Sequence, residues 1–191
     1  QLENLDNPTL LNEEIVFDAP NIVRLGEDLL YQISNSGNMN GYFWMQSTLG
    51  DKYKIHLCQG FYLYSHFDST VLPLRPGLVL FNGDRLSPDF YPPIFKNWDK
   101  IFFPGKEVID IGSSLDNGIS TCSKYVGLNL LSVNEELIII DQNQEKLRKV
   151  IEEYGIETIG LPMRHARTLN GGFHCVTLDL KRKGDLQNYF N

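Results

Sequence analysis

The sequence predicts an α/β protein built from pseudo-symmetric ββαβ repeats. Two hairpins recur along the chain, and each is followed by a helical segment and one further strand. Their turns fall at Arg75 and Asn134, so the repeat has a period of about 59 residues, the difference between these two positions. A period of this length is one supersecondary unit, and such units bury their apolar faces against neighbouring copies in a stack or a closed ring.

The composition is that of an ordinary globular domain. The chain has 191 residues, of which 42% are hydrophobic and 21% are charged. Its 17 basic and 24 acidic residues give a net charge of −7, which argues against nucleic acid or an anionic membrane surface as the main partner. No apolar run approaches the roughly 20 residues that cross a bilayer. We therefore expect a cytoplasmic protein whose partners are small organic molecules.

The three cysteines, Cys58, Cys122 and Cys175, have neither CxxC nor Cys/His ligand spacing. Their odd number and their spacing indicate neither a disulfide framework nor a structural zinc site. A reducing compartment fits this pattern best, and no metal is predicted.

A helix is the first predicted element, over residues 21–34, because apolar residues recur there at helical spacing. Asp18 or Asn21 would be its N-cap, and residues 35–37 would end it. A second helix is predicted over residues 41–49, followed by the strand KYKIHLC.

The first hairpin is FDSTVLPLRPGLVLFNGD, which turns at Pro76 and Gly77. Proline presets φ at the second position of a tight turn, and glycine accepts the positive φ that the third position requires. A short helix around residues 90–97 and the strand KIFFPG follow this hairpin.

The second hairpin is KYVGLNLLSVNEELIIIDQ, which turns at residues 134–136. It is followed by the helix NQEKLRKVIEEYG, with Gly155 at the C′ position, and by the strand IETIGLP. HCVTLDLKRKG is predicted to open a further copy. We expect a single domain over residues 1–191, whose repeat units are approximately 15–65, 66–122 and 123–174, with 175–191 as the opening strand of the last unit.

Polar or reactive residues recur just before the equivalent first strands. His66 and Asp68 stand there in one copy, Ser123 in the next and Cys175 in the last. A ring of units would gather equivalent strand ends around one central cleft. These side chains are therefore candidates for one shared site.

Each candidate also has an ordinary interpretation. A lone cysteine is more often buried and inert than catalytic, although Gly171 and Gly172 before Cys175 allow a sharp turn or a close approach to a ligand. On a strand, His174 would face away from whatever Cys175 faces.

The spacing of His66 and Asp68 places both on one face of an extended chain, yet a solvated pair at the start of a strand has the same spacing. Asp18 fits a helix N-cap as well as a carboxylate that orients His66 and favours its charged form. Arg85 and Ser123 are by themselves only polar loop residues.

Three blocks of the sequence resemble the amidinotransferases related to glycine amidinotransferase. They are RTLNGGFHCVTLDLKRKG, SHFDSTVLPLRPGLVLFNGDR and VFDAPNIVRLGEDLL, and the similarity runs in register from about Phe17 to the C-terminus. The resemblance implies a five-bladed, pentein-like α/β propeller of ββαβ units, in agreement with the repeat. It also implies a cysteine nucleophile at Cys175, a histidine proton carrier at His66 and a supporting aspartate at Asp18, with no cofactor.

The same resemblance implies a substrate-binding set. Asp68 matches the aspartate that binds the guanidinium, and Arg85 and Ser123 match residues that bind the α-carboxylate end of arginine. The chain departs from the family pattern at Cys122, where a serine is frequent, and at Leu178, where some members have a cysteine.

The resemblance covers only the C-terminal half, or somewhat more, of a family member. The absent N-terminal blades would supply another carboxylate, and about three blades cannot close a ring. We therefore expect a fragment, a cleaved product or one partner of a split protein, which acts as a homodimer or in association with the missing N-terminal part.

The predicted function is transfer of the amidino group of L-arginine, through an amidino-Cys175 intermediate, to an acceptor amine, with release of ornithine. Glycine is the default acceptor by resemblance. Two alternatives stay open: a hydrolase or deiminase of the same superfamily, in which water resolves the intermediate, and a truncated, non-catalytic binding module.

Overall fold

The fold consists of three small β-sheets, seen in a computed structural model that describes residues 10–64, 66–111, 122–183 and 187–190. Each sheet has three strands in chain order. The third strand of each sheet runs parallel to the second, and in the first and third sheets the first strand is antiparallel to the second. The predicted α/β architecture of repeated units is confirmed.

The chain divides into two compact units, where the sequence predicts one domain. The first unit comprises Gln1–Val71, Arg85–Asn97 and Gly184–Asn191, and the second comprises Leu72–Asp84 and Trp98–Lys183.

The first sheet contains strands β1 (Ile22–Leu25), β2 (Asp28–Gln32) and β3 (Lys54–Cys58), with helix α1 (Met39–Leu49) between β2 and β3. Asn38 caps α1, because its side-chain oxygen accepts the backbone N–H of Gly41 at 2.9 Å. The predicted second helix and the strand after it are confirmed.

The helix predicted over residues 21–34 is wrong, because these residues form the β1–β2 hairpin. Gly26 takes a φ of 60° at the turn, a left-handed conformation that glycine adopts without strain. Strand β2 is buried at all five positions. A strand buried on both faces has a continuous apolar run, and such a run imitates helical spacing in the sequence.

The second sheet contains β4 (Val71–Arg75), β5 (Leu78–Asn82) and β6 (Asp99–Phe103), and the chain between β5 and β6 includes a 3₁₀ helix at Pro93–Asn97. Gly77 has the predicted positive φ, 83°, in the β4–β5 turn. The first predicted hairpin is confirmed.

The third sheet contains β7 (Leu131–Asn134), β8 (Leu137–Asp141) and β9 (Glu157–Leu161), with helix α2 (Glu145–Glu153) between β8 and β9. Gly155 follows α2 with a φ of 75°, as a C′ glycine does. The second predicted hairpin, its helix and its closing strand are confirmed.

The core of the second unit is formed by apolar side chains of the second and third sheets. Leu80, Ile138 and Ile140 are fully buried, and Leu147 and Ile151 of α2 pack into the same cluster. Complete burial of one such side chain contributes roughly 1.5–3 kcal/mol. In the first unit, Leu29 and Tyr31 of β2 pack with Met45 of α1.

The helices are short: α1 has 11 residues, α2 has 9 and α3, at Ala166–Leu169, has 4. Within the described ranges, no helix has the length and apolar character needed to cross a membrane.

Residues 174–183 do not form the predicted opening strand. The backbone N–H of Val176 turns back to the carbonyl of Gly172 at 3.2 Å, and the side chains of Leu178 and Leu180 are exposed. A strand needs a neighbour with which to exchange backbone hydrogen bonds. In each sheet the first strand pairs with the strand that follows it, and the described residues after 183 include no strand.

Candidate active site

His66 and Asp18 are in contact in the first unit. The Nε2 atom of His66 lies 3.3 Å from the Oδ2 atom of Asp18, and both side chains are about 40% exposed, at 42% and 39%. Ser36 also donates a hydrogen bond to the Asp18 carboxylate, at 3.4 Å. Asp18 is therefore a histidine partner; it makes no side-chain cap on the 3₁₀ helix Ala19–Asn21 that follows it.

The backbone of His66 has a left-handed conformation, with a φ of 70°. Its N–H donates to the side-chain oxygen of Asn21 at 3.1 Å, and a turn over residues 67–70 follows. The extended chain that would place His66 and Asp68 on one face is therefore not formed. Asp68 is buried at 8% exposure.

Arg85 is held by three side chains of the first unit. Its Nη1 donates to the hydroxyls of Ser69 at 3.1 Å and Thr70 at 2.6 Å. Its guanidinium lies 3.6 Å from the centroid of the Tyr62 ring, which is a close cation–π contact. Sequence reasoning missed Tyr62 and both hydroxyls, because no local pattern links them to Arg85.

Cys175 lies in the second unit, in a turn after Gly171 and Gly172. Its backbone N–H donates to the side-chain oxygen of Asn129 at 2.9 Å, and the same oxygen accepts the N–H of Gly172 at 3.1 Å. His174 belongs to this turn, so the strand alternation that would separate it from Cys175 does not apply. Asn129 is a further residue that sequence reasoning missed.

The three cysteines differ in exposure. Cys175 is exposed, whereas Cys58 and Cys122 are buried. Burial raises the pKa of the Cys58 thiol to about 12, because the charged thiolate is poorly solvated in the interior. The thiolate is the reactive form of cysteine, so Cys175 is the best candidate for a nucleophile.

Ser123 caps the 3₁₀ helix Lys124–Leu128, where its hydroxyl accepts the N–H of Tyr125 at 3.2 Å. The Tyr125 hydroxyl donates to the Asp84 carboxylate at 2.7 Å. That hydrogen bond, aided by the N–H of Gly105 and the charge of Lys124, holds the pKa of Asp84 below its ordinary value.

The structure thus brings His66 and Asp18 into contact. It places Asp68 and Arg85 in the same unit, and it places Ser123 and Cys175 in the second unit. A histidine oriented by a carboxylate can carry a proton, and an exposed thiol can attack an electrophilic carbon. Fold and side chains together define the class: an α/β protein of repeated ββαβ units that has an exposed cysteine and a histidine in contact with a carboxylate.

Comparison with known proteins narrows this class, although no family model matches the chain. The chain is 47% identical to inosamine-phosphate amidinotransferase 1 of Streptomyces glaucescens over 180 residues, which are 94% of the chain and 51% of that protein. It is 36% identical over 185 residues to the mitochondrial glycine amidinotransferase of Gallus gallus, covering 93% of the chain and 41% of that protein. It is 34% identical over 184 residues to the L-arginine:L-lysine amidinotransferase of Pseudomonas savastanoi pv. phaseolicola, covering 96% and 49%.

Comparison with solved structures gives the same similarity to amidinotransferases. The inosamine-phosphate amidinotransferase of Streptomyces griseus superimposes with a TM-score of 0.88 at 44% identity, covering 95% of this chain and 51% of that one. A dimethylarginine dimethylaminohydrolase superimposes with a TM-score of 0.62 over 86% of this chain and 58% of that one, at 16% identity, which shows the shared fold alone. The chain is similar to amidinotransferases over more than nine-tenths of its own length, and it spans about half the length of the relatives it matches.

Proposed function

We propose that the chain carries the nucleophile and the proton carrier of an amidinotransferase that takes its amidino group from L-arginine. The observation that carries this proposal is the His66–Asp18 contact, in a chain whose Cys175 is its one exposed thiol. The family similarity supports it. The chain matches about half of the length of its relatives. The activity is therefore a proposal for the whole protein that contains these residues.

In the first half-reaction the thiolate of Cys175 attacks the guanidinium carbon of arginine and forms a carbon–sulfur bond. Resonance makes that carbon a poor electrophile, so a strong nucleophile is needed. The bond between this carbon and the chain nitrogen of arginine then breaks. His66 gives its proton to that nitrogen, ornithine leaves, and the amidino group stays on Cys175.

In the second half-reaction the acceptor amine replaces the thiolate. His66, now neutral, takes a proton from the amine as it attacks the amidino carbon, and the carbon–sulfur bond breaks. The products are a guanidino compound and the original thiolate with a protonated histidine. One imidazole thus serves as acid and then as base, and Asp18 keeps its ring oriented. Such a thiol must stay reduced, which fits a reducing compartment such as the cytoplasm.

Three further residues would bind arginine. The Asp68 carboxylate would hold the planar guanidinium, since two oxygens match its fork of donors. Arg85 would bind the α-carboxylate, and its stacking on Tyr62 with two hydroxyl contacts supports this role by fixing the guanidinium in place. Ser123 would contribute at the same end of the substrate.

The relatives are named for different acceptor amines, and their similarity to this chain guides the choice of the first acceptor to test. The chain is 47% identical to an inosamine-phosphate amidinotransferase and 36% identical to a glycine amidinotransferase. We therefore propose an amine on a phosphorylated amino-cyclitol as the first acceptor to test, ahead of glycine and lysine.

Product analysis tests the proposed function. The protein is incubated with L-arginine and each acceptor, and ornithine, citrulline and guanidino products are quantified by mass spectrometry. Transfer predicts ornithine and a guanidino product in equal amounts, both dependent on the acceptor. Citrulline formed without an acceptor would identify a hydrolase or deiminase instead, and arginine left unchanged by the complete, folded protein would favour a binding module.

A further inference from the structure

A turn of the same kind precedes the first strand of every sheet. These three lead turns cover residues 18–21, 67–70 and 126–129. In each, the N–H of the last residue donates to the carbonyl of the first, at 3.2, 2.9 and 3.0 Å respectively. The last residues are polar and buried: Asn21 and Thr70 are 0% exposed and Asn129 is 3% exposed.

The two asparagines make the same long-range contact. The side-chain oxygen of Asn21 accepts the backbone N–H of His66, 45 residues further along the chain. The side-chain oxygen of Asn129 accepts the backbone N–H of Cys175, 46 residues further along. Two of the three repeats therefore hold, through one buried side-chain amide each, the backbone of a residue to which the proposed mechanism gives a chemical role.

We propose that Asn129, and Asn21 as its pseudo-symmetric counterpart, are positioning residues for the proposed nucleophile and proton carrier. This inference rests on the proposed function, because it assigns the two amides to that reaction. Neither asparagine needs to touch the substrate. Each acts by fixing the backbone from which the reacting side chain projects.

The contacts of Asn129 are extensive enough for this role. Its side-chain oxygen accepts two N–H groups, from Gly172 and Cys175, and its backbone carbonyl accepts that of His174 at 3.4 Å. A glycine-containing loop has a large backbone entropy to lose. Three backbone N–H groups bound by one buried residue restrict that loop.

The packing around Gly172 indicates how closely the loop is held. A Cβ atom at position 172 would lie 2.5 Å from the backbone oxygen of Asn129 and 2.7 Å from its Cβ. Both are closer than non-bonded atoms approach. Gly172 is therefore required for the contact, and Gly172→Ala should displace the Cys175 backbone as Asn129→Ala does.

The test compares Asn129→Ala with Asn129→Asp, which keeps an oxygen acceptor at the same place. Asn38→Ala is the matched control, because Asn38 is also a buried asparagine, 2% exposed, but caps α1. Two quantities are measured on each folded variant: amide hydrogen exchange at Gly172 and Cys175, and the rate at which arginine forms an amidino adduct on Cys175.

We expect exchange at both amides to become about three- to tenfold faster in Asn129→Ala, the factor that a hydrogen bond of ordinary strength contributes. Adduct formation should slow by about 10- to 100-fold, because small misplacements of a reacting group are costly, while the half-saturating arginine concentration changes less than about threefold. Asn129→Asp should recover most of the exchange protection and of the rate, and Asn38→Ala should change neither.

Unchanged exchange and adduct rates in Asn129→Ala would overturn the proposal, as would equal slowing by Asn38→Ala. The exchange measurement separates this proposal from the proposed function. If the wild type forms no adduct but exchange at Gly172 and Cys175 depends on Asn129, the result supports the positioning of the Cys175 backbone by Asn129. The same result contradicts the proposed amidinotransfer chemistry. Asn21→Ala and Asn21→Asp should give the same pattern when amide hydrogen exchange is measured at His66.

Discussion

His66 has a backbone conformation that its side chain does not favour. Its φ of 70° lies in the left-handed region, which costs a residue other than glycine on the order of 1–3 kcal/mol. The N–H bond to the buried Asn21 holds this conformation in place. Strain of this kind accumulates at functional sites, which fits the proton-carrying role proposed for His66.

Replacing His66 should separate activity from stability. Asparagine tolerates the left-handed region well, so we expect His66→Asn to keep the free energy of unfolding within about 1 kcal/mol of the wild type. Turnover should fall by about 100-fold or more, as on removal of a general acid–base group. Urea titration and the product assay measure the two quantities, and a variant that keeps its turnover would exclude His66 as the proton carrier.

The Tyr62 ring stacks on the Arg85 guanidinium, so we expect replacement of Tyr62 to weaken substrate binding. Tyr62→Leu removes a cation–π contact worth roughly 0.5–2 kcal/mol, so the arginine concentration at half-maximal rate should rise about 2- to 30-fold while kcat changes less. Tyr62→Phe keeps the aromatic face and is the matched control, with little change expected. If both variants behave like the wild type, stacking has no part in holding Arg85 for substrate.

Sequence motifs indicated Asp18, His66 and Cys175, but the residues that hold them were not predictable from the sequence. Asn21 and Asn129 act through contacts 45 and 46 residues away, and Tyr62 meets Arg85 across 23 positions, the difference of their numbers. Contacts of that range arise only once the sheets have formed. A buried asparagine before a strand resembles any turn residue.

At the scale of elements, the prediction was accurate where turn chemistry marked the boundaries. Pro76 with Gly77, and Gly155 after α2, fixed a hairpin and a helix end that the structure confirms. The error at residues 21–34 arose where the hairpin turn has only Gly26 and Glu27 between β1 and the fully buried β2. Because of that error, β1 was not predicted. The position of Asp18 just before a first strand, equivalent to those of His66, Ser123 and Cys175 in the predicted repeats, was therefore missed as well.

Asp84 connects the end of β5 with the 3₁₀ helices that contain Gly105 and Tyr125. It should therefore make the free energy of unfolding depend on pH. It follows β5, accepts the N–H of Gly105 at 2.9 Å and accepts the hydroxyl of Tyr125. Its pKa is lowered from the ordinary value of 3.8 in the folded state. Its contribution is therefore fully present above pH 3.8 and is lost as the pH falls through the lower, folded-state pKa.

Asp84→Asn should lower the free energy of unfolding at pH 7 by about 0.5–1 kcal/mol, since solvent screens a carboxylate that is 38% exposed. The difference from the wild type should shrink as the pH is lowered from 4 towards 2. Urea titrations at several pH values measure it, with Asp89→Asn, a change at an exposed carboxylate, as the control. A difference that grows on acidification would contradict this assignment.

At the scale of the whole molecule, the pseudo-symmetry connects fold and site. In all three sheets the third strand runs parallel to the second. Each sheet is preceded by a lead turn that ends in a buried polar residue. The period of the two hairpins was visible in the sequence because turn residues mark it. The strand predicted at residues 174–183 was not formed, because a repeat pattern specifies where a strand could begin but not whether a neighbour pairs with it.

The most direct test of the account is the covalent state of Cys175 after exposure to L-arginine. Intact-mass spectrometry of the folded protein, followed by peptide mapping, should show one amidino group on Cys175. Cys175→Ala should show none, while Cys58→Ala, which removes a buried thiol, should label as the wild type does. Labelling that persists in Cys175→Ala, or a complete, folded wild-type protein that releases ornithine without ever carrying the adduct, would contradict the central claim.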